Sequence, residues 1–406
     1  MNISVIWGLA LAWLAGNTFI NRLKISCSAS EKFCYSLLTG LGIQSLWMFA
    51  FDIAGITFSQ PLLTAINLIF IIVLSDLRHW KNILSLKEHL NAFNEFVKDS
   101  GPKFHLGVAV LWTIIAGLFY LIAAKAMYWP TTEHDAIGSY DKLGIWIALE
   151  GKLHVSLYAH KLQGAGGYYP PLFTGSIAYM YLYGLENPKL LSLIFYACSL
   201  LIFFSALAKY ISVFGASFFT LLLAWAPEYY SHAALLLSNI PSTAYISMAS
   251  LPLFIWLKDK NENYFRIACL GFAFSIWLRQ DLVVFAAAAM FVMLLRKTWH
   301  EKQSILIFGI VSTISFALWS IYLTYKLQLP SANRFNFAHL VEINRYKLLL
   351  SYLWAYLGAG QTGSSPPGFF LYGIAFLLPT FLIIISIKHI WKEWSFVVIY
   401  FCISLI

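Results

Sequence analysis

Glu133, His134, Asp135 and Asp141 stand together in WPTTEHDAIGSYD, residues 129–141, directly behind an apolar run at 106–128. Acidic groups beside an apolar helix end are costly unless they are solvated, paired or functional. A positioned carboxylate can take the proton of a reacting hydroxyl. Asp135 is the candidate base, and Glu133 and His134 are neighbours able to orient it or shift its pKa. The competing reading is a solvated loop in which a Thr or Asp caps the helix that IGSYDKLGIWIALEG would form. Tyr140, Asp141 and Lys142 follow on that helix as candidate binding groups.

Two other segments carry candidate chemistry. QGAGGYYPPLFTG, 163–175, holds Tyr169, Pro170 and Pro171 ahead of a short apolar run. Its glycines permit a tight backbone and its proline pair leads rigidly into a helix, so taken alone it is a turn. It is no phosphate-binding fingerprint, because no strand precedes it. Arg279 lies in LRQD, 278–281, between two short apolar runs. A charge at that depth needs a reason, and an anionic ligand, a pair with Asp281 or snorkelling to the interface would each supply one. The histidines at 134, 154, 160, 232 and 339 show no metal-ligand spacing, so neither a metal nor another cofactor is expected.

The elements that must position these groups are membrane spans. The chain has 406 residues, 60% hydrophobic and 11% charged, where soluble domains carry about 25% charged residues. Mean hydropathy is +0.72. That excludes a water-soluble enzyme, a nucleic-acid binder and a disordered chain. The net charge of +9 follows from basic cytoplasmic loops and not from affinity for nucleic acid. The 15 Trp and 23 Tyr partly form an interfacial belt, and the five Cys show no CxxC.

Crossing ~30 Å of hydrocarbon takes ~20 residues. Crossings are predicted near 3–20, 33–52, 59–76, 106–128, 189–208, 211–226, 241–257, 266–278, 282–295, 304–325 and 368–387, with another beginning at 395–406. The runs 172–184 and 346–358 are predicted to lie at the interface. With the N-terminus outside, 17 of the 27 Lys and Arg fall on the inner side, a bias that holds only if neither of those two runs crosses. The polar segment 77–105 reads as a cytoplasmic linker, and 129–188 as the main external loop with its interface helix. The chain stops within an apolar run and reads as a fragment that ends inside a span.

The order of these parts carries a resemblance. A span ends in an acidic HDA turn, a helix with Tyr140, Asp141 and Lys142 follows, and a YYPPL step leads into a short interface helix. This resembles the GT-C class of membrane glycosyltransferases, the superfamily of dolichyl-phosphate-mannose protein mannosyltransferases and aminoarabinose transferases, over about half the chain, 106–295. Asp135 matches the family's first-loop acid, and Tyr169-Pro170-Pro171-Leu172 its HPPL or YPPL step. APEYYSHAALLLSNIPSTAY, 226–245, matches the second external loop, and LRQD the charged break between two spans. Where relatives often carry an acid ahead of a proline, this chain has Asn239 before Ile240-Pro241. The first three spans, 1–76, stand as an extension to the catalytic module at 106–406.

The resemblance implies an all-α polytopic bundle of about 11–12 transmembrane helices with extracytoplasmic interface helices. It implies an inverting glycosyltransferase that moves a sugar from a polyprenyl phosphate to a hydroxyl of a glycan, lipid or protein. Phosphate is a good leaving group with a second pKa near ~6, so cations and one carboxylate suffice. A glycosidase, with its poorer leaving group, needs two. Arg279 suits the phosphate because its fork reaches two oxygens at once. The expected location is a bacterial inner membrane. The alternative reading is a lipid or solute transporter or flippase, with 266–295 as a broken-helix pair. A third is a non-catalytic assembly subunit.

Overall fold

The computed structural model describes residues 3–75, 102–162, 164–296, 302–329, 342–356 and 387–404, and every element among them is helical. Most of the linker at 77–105, nearly all of the run at 368–387, and His339 lie outside the described residues. In chain order the helices are α1 (Ile3–Arg22), α2 (Ala29–Ile53), α3 (Gln60–Leu74) and α4 (Pro102–Tyr128). After α5 (Asp141–Glu150), the first helix of the loop behind α4, come α6 (Leu172–Leu182), α7 (Lys189–Leu207) and α8 (Val213–Trp225). Then follow α9 (Asn239–Asp259), α10 (Glu262–Leu278), α11 (Val283–Leu295), α12 (Lys302–Tyr325), α13 (Ile343–Tyr356) and α14 (Ile387–Ser404).

Six of these, α1, α2, α4, α7, α9 and α12, are long and apolar enough to cross a bilayer. The chain is a multi-pass integral membrane protein. The predicted crossings 211–226, 266–278 and 282–295 fall on α8, α10 and α11, which have 13, 17 and 13 residues. At ~1.5 Å per residue, α8 and α11 cover only ~20 Å unaided.

Small residues let the helices approach closely, as they must where lipid tails remove the hydrophobic drive for helices to associate. A Cβ on Gly16 would stand 1.9 Å from the Ser36 carbonyl oxygen, and one on Gly40 1.9 Å from that of Ala12. A Cβ on Gly271 would meet the Ala249 nitrogen at 2.5 Å, which locks α10 on α9. The three N-terminal helices share one buried core with the later ones. Tyr245 donates to the Leu38 carbonyl at 2.8 Å, Trp277 donates to Ser45 at 2.9 Å, and Phe49 packs edge-on against Trp277.

The bundle has a basic end and an end that gathers the candidate residues. At the basic end Glu31, fully buried, accepts from Lys209 at 3.2 Å and Tyr264 at 3.2 Å and closes a capping box with Ser28. Arg266 donates to the Leu23 carbonyl there at 2.6 Å. The loop after α4, the α8–α9 connection, the α10–α11 break and the end of α12 meet at the other end.

Helix α6 departs from expectation. The run 172–184 is predicted to lie at the membrane surface, yet Leu172 through Met180 are all buried, among α1, α2, α5 and α10. Its sequence, LFTGSIAYMYL, is apolar all round, and a helix without a polar face belongs inside. It does not cross: Asn187 and Lys189, just beyond it, bond to Ala126 and Trp129 at the same end of α4. The predicted surface run at 346–358 falls on α13, where Ile343 and Leu348 are exposed. The C-terminal run belongs to α14, which bends at Trp394.

Candidate functional site

The loop after α4 is shaped by a π-helical turn, Ala136–Tyr140, that runs straight into α5. Such one-turn bulges re-aim side chains relative to a regular helix. Gly164, at φ +65°, packs its backbone against this turn, and a Cβ there would lie 2.5 Å from the Gly138 carbonyl oxygen. Only a residue without a side chain fits that contact. The YYPP segment is thereby held beside the HDA turn, and Lys142 ties the same loop down through the Leu162 carbonyl at 2.8 Å.

Five polar side chains meet behind the turn. Tyr140 Oη and Ser238 Oγ are 2.9 Å apart, and Arg279 donates through Nη1 to Ser238 at 3.4 Å. The Arg279 guanidinium lies over the Tyr169 ring at 5.0 Å, a cation–π contact. Asp281 accepts from Arg279 at 3.1 Å and 2.5 Å in a two-pronged bond. Of the roles the sequence leaves open for Arg279, the pair with Asp281 is the one seen. Burial pushes the Tyr140 hydroxyl's pKa up; the Ser238 bond and Arg279 oppose the rise, and Tyr169 and Asp135 add to it. Tyr140 therefore stays a protonated donor at neutral pH. Burial works to lower the Arg279 pKa, but Asp281 outweighs it and the net shift is upward.

The remaining candidates take separate places. Asp135 keeps 66% of its side chain exposed, and its nearest ionic partner is the fully exposed His134 at 3.8 Å. Glu133 points inward: one carboxylate oxygen accepts from Thr132 at 3.3 Å, and the other is buried with no hydrogen-bond partner. Asp141 accepts from Tyr181 and faces away from Tyr140, because successive helical residues point about 100° apart. Pro170 and Pro171 are buried, and the Pro171 carbonyl accepts from Gly175 at 2.7 Å to open α6. Asn239 is exposed at the start of α9.

A second polar node escaped the sequence reading. Asp52, fully buried at the end of α2, accepts from the Leu153 amide at 2.8 Å, the His154 amide at 3.3 Å, His154 Nδ1 at 2.8 Å and Tyr322 Oη at 2.5 Å. Tyr322 stacks on Trp319, whose indole donates to the Tyr168 carbonyl at 3.0 Å, next to Tyr169. The node thus supports the Arg279 cluster through two rings and a backbone bond. An acid at the end of an apolar span was available as a cue, the same one that singles out Asp135. Its partners were not, since they lie about a hundred or more residues away. Among the described residues no three His, Cys, Asp or Glu converge as a metal site requires.

Comparison with protein-family models, characterised proteins and solved structures returned no match.

Proposed function

We propose that this protein is a polytopic glycosyltransferase of GT-C type, transferring a sugar from a polyprenyl phosphate to a hydroxyl acceptor at the extracytoplasmic face. One observation carries the reading. Tyr140 and Tyr169 of the first external loop, Ser238 of the second and Arg279 of the helix break meet in one cluster beside the HDA turn. Those are the segments on which the family resemblance rests. A donor with a polyprenyl tail also accounts for a catalytic site at the end of a membrane bundle, because the tail lies in hydrocarbon while the sugar reaches water.

In this reaction the acceptor oxygen attacks the anomeric carbon, the bond from that carbon to the phosphate oxygen breaks, and the phosphate leaves with the electron pair. The acceptor proton passes to the Asp135 carboxylate, which is exposed and open to an incoming hydroxyl. Arg279, held by Asp281 and Tyr169, has N–H edges beyond those bonds to turn toward phosphate oxygens. Tyr140 stands next to it as a neutral donor. A bacterial inner membrane with undecaprenyl phosphate as carrier belongs to the same proposal.

The test is purified protein in proteoliposomes with radiolabelled polyprenyl-phosphate sugars and crude acceptor membranes, wild type beside Asp135→Asn. Loss of a positioned base costs ~10²–10⁴-fold, so the variant should fall to background while binding donor. Equal turnover by the variant removes Asp135 as base. No transfer by wild type, with labelled lipid moving between leaflets in both proteins, identifies a transporter instead.

A further inference from the structure

Away from the Arg279 cluster, a cavity of about 330 Å³ opens between the end of α4, the start of α5 and the α6–α7 turn, within the size range of small-ligand pockets. Its charged groups come from Asp141, Glu186 and Lys189, and its mouth from Met127, Tyr128 and Trp129. Lys189 is 3% exposed, and its ammonium donates only to the Trp129 carbonyl among the described residues. Asp141 spends one oxygen on Tyr181, and Glu186 is exposed with no bond or ion pair among the described residues.

We propose that this cavity seats the zwitterionic headgroup of an ammonium-bearing phospholipid, of the phosphoethanolamine type, drawn from the outer leaflet. Asp141 and Glu186 line the cavity with Lys189, and Glu133 and Lys125 also lie within electrostatic reach of that lysine, so three carboxylates stand against two lysines. A purely anionic ligand is repelled by that surplus, and a purely cationic one leaves the buried Lys189 unmatched. A ligand with both charges satisfies the set: its ammonium meets Asp141 and Glu186, and its phosphate meets Lys189. The anion partner is the side chain and not the helix terminus, because the first amides of α7 are already bonded. Lys189 N donates to Asn187 Oδ1 at 3.1 Å, Leu190 N to Asn187 O at 3.3 Å and Leu191 N to Pro188 O at 2.9 Å.

The lipid origin follows from the mouth. Met127, Tyr128 and Trp129 are 67%, 83% and 60% exposed at the end of α4. Only 17% of that helix's apolar window is buried inside the protein, so its flank faces acyl chains. Exposed Tyr and Trp at the end of a span mark headgroup level. A ligand anchored by acyl chains along α4 brings its headgroup to the cavity without leaving the bilayer.

The experiment is native mass spectrometry of the full chain in detergent. It is titrated with dihexanoyl-phosphatidylethanolamine, dihexanoyl-phosphatidylglycerol and free phosphoethanolamine, and needs no transferase activity. The ethanolamine lipid should bind roughly tenfold more tightly than the glycerol lipid, and more tightly than free phosphoethanolamine. Glu186→Gln should narrow the first ratio several-fold. Lys189→Met should weaken both lipids, and Lys189→Arg should restore them. If Lys189→Met fails to fold, Glu186→Gln, at an exposed position, decides alone. Equal or tighter binding of the glycerol lipid, a ratio unchanged in Glu186→Gln, or free phosphoethanolamine binding as tightly as the lipid would each overturn the proposal.

Discussion

Replacing Asp52 by Ala tests whether the second polar node supports the end of the bundle that gathers the candidate residues. The carboxylate is fully buried and accepts four hydrogen bonds from two segments, three from Leu153 and His154 after α5 and one from Tyr322 of α12. Two of its donors, the Leu153 amide and the Tyr322 hydroxyl, belong to residues only 2% and 4% exposed and have no water to turn to. The His154 ring is 37% exposed and regains water, and its amide bond at 3.3 Å is the weakest of the set. A hydrogen bond to a charged group is worth ~1.5–3 kcal/mol. Two stranded donors therefore bound the loss at about 3–6 kcal/mol, and release of a buried charge returns part of it. The expected net loss is about 3–4 kcal/mol. Equilibrium unfolding in mixed detergent and dodecyl sulfate micelles measures it, with Asp52→Asn, which keeps an acceptor oxygen, losing about half as much. An Asp52→Ala protein within about 1 kcal/mol of wild type would refute the assignment of structural weight to this node.

Other expectations follow from particular contacts. Gly40→Ala places a methyl 1.9 Å from the Ala12 carbonyl oxygen, so despite a helix-propensity gain of up to ~1 kcal/mol it should destabilise by about 1–3 kcal/mol. A stabilised variant in the same unfolding assay would show that α1 and α2 are not tightly apposed. Tyr140→Phe removes the hydroxyl bonded to Ser238, and should cost ~0.5–1.5 kcal/mol of stability and weaken donor binding up to about tenfold. Unchanged donor affinity returns Tyr140 to a packing role. Glu150 is partly desolvated, which raises its pKa, but the Ser156 hydroxyl and amide and then Lys152 outweigh this and the net shift is downward. Its stabilisation is therefore full above the ordinary carboxylate pKa and lost as pH falls through the lower folded value. Thermal unfolding of Glu150→Gln beside wild type should converge as pH drops below about 4. A gap of constant size would remove the ionic part of this cap.

Composition alone makes this chain a membrane protein, because too few residues are charged to clothe a soluble surface. The long spans were legible for the same local reason: a helix must satisfy its own backbone in hydrocarbon, so a long apolar run admits one structure. The six helices long and apolar enough to cross accordingly fall on predicted runs. The candidate loop was legible too, since acids at a span end stand out without a fold. The sequence did not show where α6 goes. Its length suited a surface helix, and only the packing of α1, α2, α5 and α10 around it puts both its sides inside.

Pairings across the chain were likewise decided by tertiary structure. Nothing local ties Asp52 to His154 and Tyr322, or Tyr140 to Ser238, and a helix start at Asp141 does not reveal that it faces Lys189's cavity while its neighbour faces Arg279. Hydropathy and local spacing reflect what each residue asks of the solvent and of its near neighbours. Which distant donor meets which buried acceptor depends on how whole helices are set against one another. That arrangement comes from packing at small residues such as Gly16, Gly40 and Gly271, where backbone meets backbone.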